Sequence, residues 1–386
     1  MTEPSSMADR VPREVRTEIT RLFEDAIGQH TFPGAVLHVA YAERVVFHEA
    51  FGHAKLYPEP EPMTRDAVFD LASLTKPLGA ALATALLVDR GDLEWNGSLG
   101  ELLDLPASTS SSMGRIQVRH LLEHTSGLPA FRAYYPRFRG REGLSNKERV
   151  REWILRESLA GPPGTRACYS DLGYMLLEGV IERIAGQELD GWLEQRLFRP
   201  LGLNDTGFRR NDRAADPPDR FVQTAYCAYR KRYLQGEVHD RNAFAMGGFS
   251  GHAGLFGSVR DVHVLLSLLY RCWSGEEGLA LSPKRVRELF TGAGSVESNT
   301  FRMGFDTPSA QGSSAGTLFA RNSVGHLGFT GTSFWMDLES GFSVILLTNR
   351  LLARPRNARI RGFRPRLHDL VWKSMRESGA FLQGPK

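Results

Sequence analysis

The sequence predicts an α+β protein in which sheet-forming segments near both ends of the chain enclose a long, mainly helical middle. Apolar residues alternate with a period of two near the start and the end, and recur with the 3.6-residue period of a helix between them. Proline and glycine stand at nearly every junction between segments. We expect three parts: an α/β region over 1–76, a mainly helical region over 77–295, and a second α/β region over 296–386 that completes the sheet.

The individual elements follow from the same periodicities. One helix is predicted over 15–27, followed by a β-hairpin whose strands cover 34–40 and 44–50. Further helices are predicted over 118–123, 146–156, 172–184, 189–197, 262–273 and 283–290. Loops rich in glycine and serine fill 294–316, and the chain ends with strands over 334–337 and 342–347 and a helix over 366–375.

Composition excludes several classes of protein. The chain has 386 residues, of which 41% are hydrophobic, so it can bury a large core. A net charge of +4 is small for this length, and without a binding module it indicates no nucleic-acid partner. Three scattered cysteines fit neither a disulfide framework nor a metal site, and we expect no cofactor. Since no apolar run reaches about 18 residues, we expect no membrane span and a cytoplasmic protein; the sequence specifies no oligomeric state.

The stretch Ser73-Leu74-Thr75-Lys76 begins a further helix that we expect to be buried. Serine and lysine three residues apart share a helix face, so the amine can reach the hydroxyl. Pro77 fits only the first turn, which predicts that the helix starts at Ser73 with this serine as its cap. Free N–H groups at that start favour an alkoxide and a neutral Lys76, so we interpret Ser73 as a nucleophile and Lys76 as its activator. Taken alone, the pattern is more common as a capped helix with a surface lysine.

Two other motifs contain residues suited to chemistry. Tyr169 follows a loop rich in proline and glycine and precedes an apolar helix, so its side chain can reach into a cleft. The alternative is a packing aromatic beside a helix cap formed by Ser170 or Asp171. His326 lies in a strand-like segment of small residues, where the backbone can approach a ligand closely. The alternative there is an ordinary glycine-rich edge strand.

Taken together and in this order, these motifs resemble the penicillin-binding-protein and class C β-lactamase family of serine hydrolases. The segment 73–76 matches the family's S-x-x-K motif, 169–171 its Y-x-N element, and 326–328 its K-T-G or H-x-G strand. The segment 124–129 is similar to the family's H-T-S-G-L sequence. The stretch 238–255 is similar to a bacterial subgroup described as β-lactamase-related or penicillin-binding-protein-4-like. The resemblance covers most of the chain.

This resemblance implies a β-lactamase/transpeptidase-like fold. An antiparallel sheet flanked by terminal helices would carry a large all-helical region, with the active site between the two. By resemblance, Ser73 attacks a carbonyl carbon while Lys76 and Tyr169 move its proton. The oxyanion would lie between the backbone N–H groups of Ser73 and Phe329, and Gly328 would let the strand approach. We therefore expect an acyl-enzyme and a small-molecule, short-peptide or ester substrate.

Two positions depart from the family pattern. Asp171 stands where many relatives have asparagine. If its carboxylate faces Lys76, it would favour the charged lysine, and Tyr169 would become the main general base. The alternative is that Asp171 turns away and caps its helix. His326 stands where β-lactamases and transpeptidases usually carry lysine. A neutral histidine can hydrogen-bond the hydroxyl of Tyr169 or Ser73, which favours esters, amides or D-amino-acid derivatives over penicillins.

Other residues that suggest a site are interpreted structurally. Seven arginines over 350–366 predict a solvated loop, with Arg350 as the candidate for an anionic substrate group. Ser314 lies in a G-x-S-x-G pattern but lacks the strand before it and the helix after it, so we do not expect it to be a nucleophile. We interpret Ser126 and Ser250 as loop hydrogen-bonders, and the His239-Asp240 pair as too sparse for a metal site.

The sequence therefore predicts a serine hydrolase that acts through an acyl-enzyme on esters or amides. Esterase, D,D-peptidase and weak β-lactamase activities all fit the motifs. The main alternative is a non-catalytic or single-turnover penicillin-binding or sensor protein with the same fold, and a second is a structural role in cell-wall assembly.

Overall fold

The structure is a computed structural model that describes residues 11–106, 111–213, 219–278, 280–292, 294, 296, 299–353 and 358–377. Its strands are β1 (Gly34–Tyr41), β2 (Arg44–Lys55), β3 (Glu61–Pro62), β4 (Phe69–Asp70), β5 (Gly207–Phe208), β6 (Gln223–Cys227), β7 (Arg232–Gln235), β8 (Leu255–Gly257), β9 (Val324–Leu327), β10 (Ser333–Met336) and β11 (Phe342–Thr348). Its α-helices are α1 (Arg13–Gly28), α2 (Leu82–Asp89), α3 (Leu99–Leu102), α4 (Ser111–Gly114), α5 (Val118–Leu122), α6 (Asn146–Ile154), α7 (Asp171–Ala185), α8 (Leu189–Leu193), α9 (Arg241–Ala245), α10 (Val259–Trp273), α11 (Pro283–Thr291), α12 (Arg350–Ala353) and α13 (Ile360–Glu377).

The main sheet is built from both ends of the chain. Its strand order is β3-β2-β1-β11-β10-β9, and every neighbouring pair is antiparallel. The central strands β1 and β11 pair with Val36 opposite Leu347 and Leu37 opposite Leu346. Both strands are apolar almost throughout because both faces of the sheet are covered. The predicted antiparallel sheet with sequence-distant halves is confirmed.

The terminal helices α1 and α13 cover one face of this sheet. In α1 the buried residues recur with helical spacing and include Phe23, whose ring meets Phe363 of α13 edge-on at 5.2 Å. The last helix begins at Ile360, earlier than predicted, and contains Pro365. The prediction of a solvated loop over 350–366 is therefore wrong for Arg350–Ala353 and for 360–366, which form α12 and the start of α13. Burial of Ile360, Phe363 and Leu367 on one side of α13 explains why a helix forms there.

The other face of the sheet carries the helical region. Helix α7 is buried over ten consecutive residues, which is typical of a helix inside a large core. The predicted helices are confirmed, with ends that differ by a few residues. Short elements such as α3, α9 and the small sheets β4-β8-β5 and β6-β7 were not predicted, because two to five residues give no periodic signal. Every described helix is too short or too polar to serve as a membrane span.

The segment around Ser73 departs from the predicted simple α-helix. It begins as a 3-10 turn over Ala72–Leu74, continues as a π-helix over Lys76–Ala81 and becomes α2. Ser73 is not a side-chain cap, which corrects the prediction. Instead, Asp70 Oδ1 accepts the N–H of Ala72 at 2.9 Å, and Ala72 adopts the left-handed region at φ 48°. The residues from Lys76 onward through Val88 are buried, as expected.

Candidate active site

Ser73 lies where two cavities meet, between the sheet and the helical region. Both cavities are lined by Ser73, Tyr169 and Phe329. The larger, about 700 Å³, is called the basic arm here and is also lined by Asp306, His326, Arg350, Arg361 and Arg364. The smaller, about 480 Å³, is called the aromatic arm and is also lined by Phe131, Tyr135, Asp171, His239 and Arg241. A substrate bound at Ser73 would thus extend one group into the basic arm and another into the aromatic arm.

The Lys76 ammonium is fully buried and donates to three acceptors. Its Nζ lies 3.2 Å from Ser73 Oγ, 2.8 Å from Asp171 Oδ1 and 3.3 Å from the carbonyl oxygen of His252. The contact with Ser73 is the one that the serine-x-x-lysine spacing makes possible. The three acceptors match the three N–H donors of an ammonium group, so the resting geometry is that of a charged lysine.

Asp171 faces Lys76 rather than turning away. Ser170 is the cap of α7, since its Oγ accepts the N–H of Gly173, and this leaves the Asp171 carboxylate for the ion pair. Burial alone would lower the pKa of Lys76, but attraction to Asp171 and the nearby Tyr169 raises it overall. Asp171 therefore faces Lys76 and favours its charged form, and it does not turn away to cap α7 with its side chain.

Tyr169 lies beside Lys76 and is held in place by contacts with His124. Lys76 Nζ lies 4.8 Å from the centre of the Tyr169 ring. Burial raises the pKa of Tyr169, against hydrogen bonding from Lys76 and Ser73 that lowers it. His124 brackets the tyrosine, because its carbonyl oxygen accepts the N–H of Cys168 and its Nδ1 accepts that of Ser170. Its ring also packs against Tyr169 at 4.4 Å. The 124–129 segment thus positions Tyr169.

Strand β9 and the residues after it form the opposite wall. A Cβ on Gly328 would lie 2.0 Å from Thr332 Oγ1 and 2.8 Å from the carbonyl oxygen of Leu71, so only glycine allows this approach. Phe329, which follows, exposes 57% of its surface. Among the described residues, neither the N–H of Ser73 nor that of Phe329 has a protein acceptor. Both amides are therefore available to an oxyanion.

His326 does not make the hydrogen bond that the sequence suggested. Its Nδ1 interacts with the carbonyl oxygen of Leu327 at 3.0 Å, and its buried Nε2 has no partner within the described chain. The Tyr169 ring centre is 6.1 Å away, so the expected bond to Tyr169 or Ser73 is absent. Burial, and then the charge of Lys76, lower the pKa of His326 to about 3. The histidine is thus neutral, as expected, and lines the basic arm.

Buried neutral histidines predict a loss of stability in mild acid. The pKa is about 3 for His326 and, because of burial, about 4 for His368, both below the unfolded value of about 6.5. Their contribution is complete above pH 6.5 and is lost as pH falls, because the unfolded chain then binds protons that the folded chain does not. We expect each to lower the free energy of unfolding by about 2 kcal/mol between pH 7.5 and 5.

Urea unfolding at the two pH values measures this effect. A His368→Asn variant should lose the share of the pH dependence that belongs to His368. Equal free energies of unfolding at both values would show that these rings are protonated in the folded protein.

The floor of the site contains a link that the sequence did not reveal. His252, whose carbonyl oxygen accepts from Lys76, places its Nε2 3.0 Å from Asp240 Oδ1. The same carboxylate oxygen accepts the N–H of Ala243 and caps α9. Asp240 thus makes structural hydrogen bonds, as expected, and holds the loop that contacts Lys76, whereas His239 lines the aromatic arm. The sequence could not show this, because the contact joins Lys76 to a residue 176 positions away.

The other serines do not belong to the site. Ser314 lies in a loop without a preceding strand or following helix, and its carbonyl oxygen contacts His368 Nδ1 at 2.7 Å. Ser126 Oγ accepts the N–H of Leu128, and Ser250 Oγ donates to Glu178. No group of three or more potential metal ligands occurs in the described part of the chain.

Known sequences similar to this chain include one family profile and relatives named for two different activities. The family profile described as Beta-lactamase matches residues 19–363. An N-acetylmuramyl-L-alanine amidase of Bacillus subtilis is 33% identical over 345 residues, which cover 83% of this chain and 77% of the relative. A putative D-alanyl-D-alanine carboxypeptidase of Escherichia coli is 30% identical over 343 residues, which cover 83% of this chain and 79% of the relative.

Comparison with solved structures supports the fold. An octameric penicillin-binding protein homologue from Pyrococcus abyssi superposes with a TM-score of 0.70 at 19% identity, covering 95% of this chain and 80% of that one. The hydrolase EstCE1, described as having promiscuous acyltransferase activity, gives a TM-score of 0.66 at 23% identity, with 92% and 99% coverage. At these identities the likeness concerns the fold alone, which is the β-lactamase/transpeptidase-like fold predicted from the motifs.

Proposed function

Because this chain belongs to the beta-lactamase family, whose members include serine hydrolases, we propose that it hydrolyses esters or amides through an acyl-enzyme on Ser73. The observation that carries this proposal is the contact of 3.2 Å between Lys76 Nζ and Ser73 Oγ, at the point where two cavities meet. Burying a lysine ammonium costs free energy, so its contact with a serine at a cavity supports a chemical role for both residues. The substrate is a small molecule or short peptide that extends into both arms.

Acylation begins with attack of Ser73 Oγ on the carbonyl carbon, and its proton moves to a neighbouring base. The developing oxyanion accepts hydrogen bonds from the N–H groups of Ser73 and Phe329. Arg350 supports this wall, since its Nε donates to the carbonyl oxygen of Phe329 at 3.0 Å and thereby orients that peptide unit. Loss of one oxyanion donor typically costs about 3 to 4 kcal/mol of transition-state stabilisation.

The base is the Tyr169 and Lys76 pair acting together. Lys76 is charged at rest, because Asp171 stabilises its ammonium form, and a charged lysine accepts no proton. In the reactive form Tyr169 is a phenolate, which the charge of the adjacent Lys76 ammonium stabilises. This phenolate oxygen takes the serine proton as Ser73 Oγ attacks and becomes a neutral phenol. The same pair then delivers the proton to the leaving group. In deacylation, the pair takes a proton from the attacking water and returns it to Ser73 Oγ.

The pair predicts an unusual response at Asp171. Replacing Asp171 with asparagine removes the charge that raises the pKa of Lys76, so a larger fraction of Lys76 becomes neutral at pH 7. We expect Asp171→Asn to acylate at least as fast as the wild type, with the alkaline rise of the rate shifted to lower pH. The burst phase of para-nitrophenyl ester hydrolysis, followed from pH 6 to 10, measures both quantities. A large loss of acylation rate would mean that Asp171 itself takes part in proton transfer.

The names of the relatives and the state of His326 both bear on which class of substrate is cleaved. The relatives named above include an amidase and a putative carboxypeptidase, both of which act on bonds to a carbonyl carbon. Here His326 is neutral and lines the basic arm. The names of these relatives favour amides and D-amino-acid peptides as substrates. The neutral histidine, in place of lysine, favours esters, amides or D-amino-acid peptides over penicillins.

A substrate panel tests the proposal. Short-chain para-nitrophenyl esters, D-alanyl-D-alanine peptides and nitrocefin are compared for steady turnover and for burst amplitude. We expect repeated turnover of at least one ester or peptide and slow turnover, at most, of nitrocefin. A burst of one equivalent without further turnover on every compound would identify a single-turnover acceptor. Absence of both burst and turnover in a folded protein would identify a non-catalytic member of the family.

A further inference from the structure

The carboxylate of Asp70 lies shortly before the nucleophile and takes no part in the proton transfers described above. Asp70 ends β4 and exposes 2% of its surface. Its Oδ1 accepts the N–H of Ala72 at 2.9 Å, and its Oδ2 accepts the N–H of His239 at 2.7 Å. The carboxylate therefore joins the turn that carries Ser73 to the wall of the aromatic arm, which His239 lines.

The bond to Ala72 acts on the residue directly before Ser73. Ala72 adopts the left-handed region at φ 48°, which is uncommon for a residue other than glycine. The backbone angles of Ala72 set the direction of the next N–H, which is that of Ser73 and one of the two oxyanion donors proposed above. The Asp70 carboxylate thus stabilises a strained backbone conformation at the point where the orientation of the nucleophile is decided.

Asp70 also supports the residues around the second oxyanion donor, Phe329. The carbonyl oxygen of Asp70 accepts the Thr330 hydroxyl at 2.8 Å, and Thr330 directly follows Phe329. On the other side, the His239 ring stacks on the Phe329 ring with their centres 5.7 Å apart. One residue therefore holds the turn before Ser73 and has contacts with both neighbours of Phe329.

We propose that Asp70 is a positioning residue for acylation, whose ionised carboxylate orients the Ser73 turn and the His239 wall and whose protonation loosens one of them. An ionised carboxylate only accepts hydrogen bonds, so each of its oxygens serves one N–H. A protonated carboxyl group has an O–H donor on one oxygen, which then faces an N–H instead of accepting from it. This assignment rests on the proposed function, because it requires a nucleophilic Ser73.

The surroundings of Asp70 place this protonation in mild acid. Burial raises its pKa to about 6 against the two N–H bonds, while Asp240 raises this pKa and Arg230 lowers it. Burial lowers the pKa of the His239 ring to about 4, and attraction to His252 outweighs burial and lowers the pKa of Asp240. Strand β8 and the turn between β9 and β10, which also contact Asp70, contain no titratable side chain. Of Asp70, His239 and Asp240, only Asp70 changes its charge between pH 5 and 7.5.

Asp70→Asn imitates the protonated carboxyl group, because asparagine has the same shape and one acceptor oxygen. We expect this variant to lower the acylation rate about tenfold at pH 7.5, as for the loss of one charge-assisted hydrogen bond. The ratio of the wild-type rate to the variant rate should fall from about ten at pH 7.5 to about two at pH 5, because the wild type becomes protonated. The burst phase of para-nitrophenyl acetate hydrolysis, followed where nitrophenol and its anion absorb equally, measures both rates. The ratio cancels titrations that both proteins share, such as that of Tyr169.

Asp261→Asn is the matched control. Asp261 is also a buried carboxylate, with 4% of its surface exposed; its Oδ2 accepts the N–H of Asp205 at 2.8 Å, and burial raises its pKa. It lies in the first turn of α10 and lines neither arm. We expect Asp261→Asn to keep the wild-type acylation rate at both pH values.

Ala72→Gly decides if Asp70→Asn does not fold. Glycine adopts the left-handed conformation without strain, so the turn then depends less on the carboxylate. We expect the acylation rate of Ala72→Gly to fall several-fold less than that of the wild type between pH 7.5 and 5. An equal fall in both proteins would overturn the positioning role.

The outcomes separate this proposal from the proposed function. A ratio of wild type to Asp70→Asn that is near one, or that is the same at both pH values, overturns the positioning role while hydrolysis stands. An equal loss of rate in Asp261→Asn does the same. If no ester acylates the protein, the rate of Ser73 labelling by a fluorophosphonate replaces the burst in the same comparison. A folded protein that is neither acylated nor labelled overturns both proposals.

Discussion

Replacing Ser73 with alanine is expected to lower kcat/KM for the best ester or peptide substrate by about 10⁴-fold or more. The substitution removes the attacking oxygen and no other atom, so the residual rate is that of binding and oxyanion stabilisation alone. Ser73 is only partly buried, and its Oγ accepts one hydrogen bond from Lys76, so the fold should persist. Steady-state kinetics on protein with an unchanged circular dichroism spectrum measures the loss.

Ser314→Ala is the matched control for this prediction. Ser314 is the serine of the G-x-S-x-G pattern, and it lies in a loop outside both arms. We expect this variant to keep the wild-type kcat/KM. Full activity in Ser73→Ala, or its loss in Ser314→Ala, would assign the nucleophile elsewhere.

Replacing Tyr169 with phenylalanine should lower kcat by about 10²- to 10³-fold, the usual contribution of a positioned acid or base. Phenylalanine keeps the ring that packs against His124 at 4.4 Å and Phe301 at 5.5 Å. Only the hydroxyl beside Lys76 and Ser73 is lost. Burst kinetics should show the loss in the acylation step, with little change in KM.

Tyr174→Phe separates this chemical effect from a general effect of removing a hydroxyl. Tyr174 is fully buried, and its ring centre lies 5.5 Å from Lys76 Nζ, against 4.8 Å for Tyr169. Its hydroxyl, however, donates to the carbonyl oxygen of Leu122 at 2.9 Å. We expect Tyr174→Phe to lose about 1 to 3 kcal/mol of stability and to keep kcat within a few-fold. Equal losses of kcat in both variants would remove the role assigned to the Tyr169 hydroxyl.

The architecture was predictable because its signals are local and periodic. The hairpin of β1 and β2, the apolar strand β11 and the long helices each span enough residues to show a period of two or 3.6. The spacing of Ser73 and Lys76 is likewise local, so it survives as a contact in the fold. Tyr169 and His326 could be joined to that pair only through the order of known motifs.

The remaining features depend on contacts between segments far apart in sequence. Asp171 meets Lys76 across 95 residues, and the sequence left two orientations open. Arg361 and Arg364 line the cavity because burial of Phe363 and Leu367 packs α13 against the sheet, whereas their charge alone suggested a solvated loop. Ser73 does not cap its helix; the segment begins instead with a 3-10 turn in which the Asp70 carboxylate accepts the N–H of Ala72. Each of these outcomes is set by tertiary packing, which composition and spacing do not encode.

Covalent labelling with a fluorophosphonate most directly tests whether Ser73 is an activated nucleophile. The reagent phosphonylates a serine only where a neighbouring base and oxyanion donors activate it. We expect one adduct per chain, located on Ser73 by peptide mass mapping, and formed much more slowly in Tyr169→Phe. A folded protein that forms no adduct, or forms it on a serine other than Ser73, would contradict the assignment of this site.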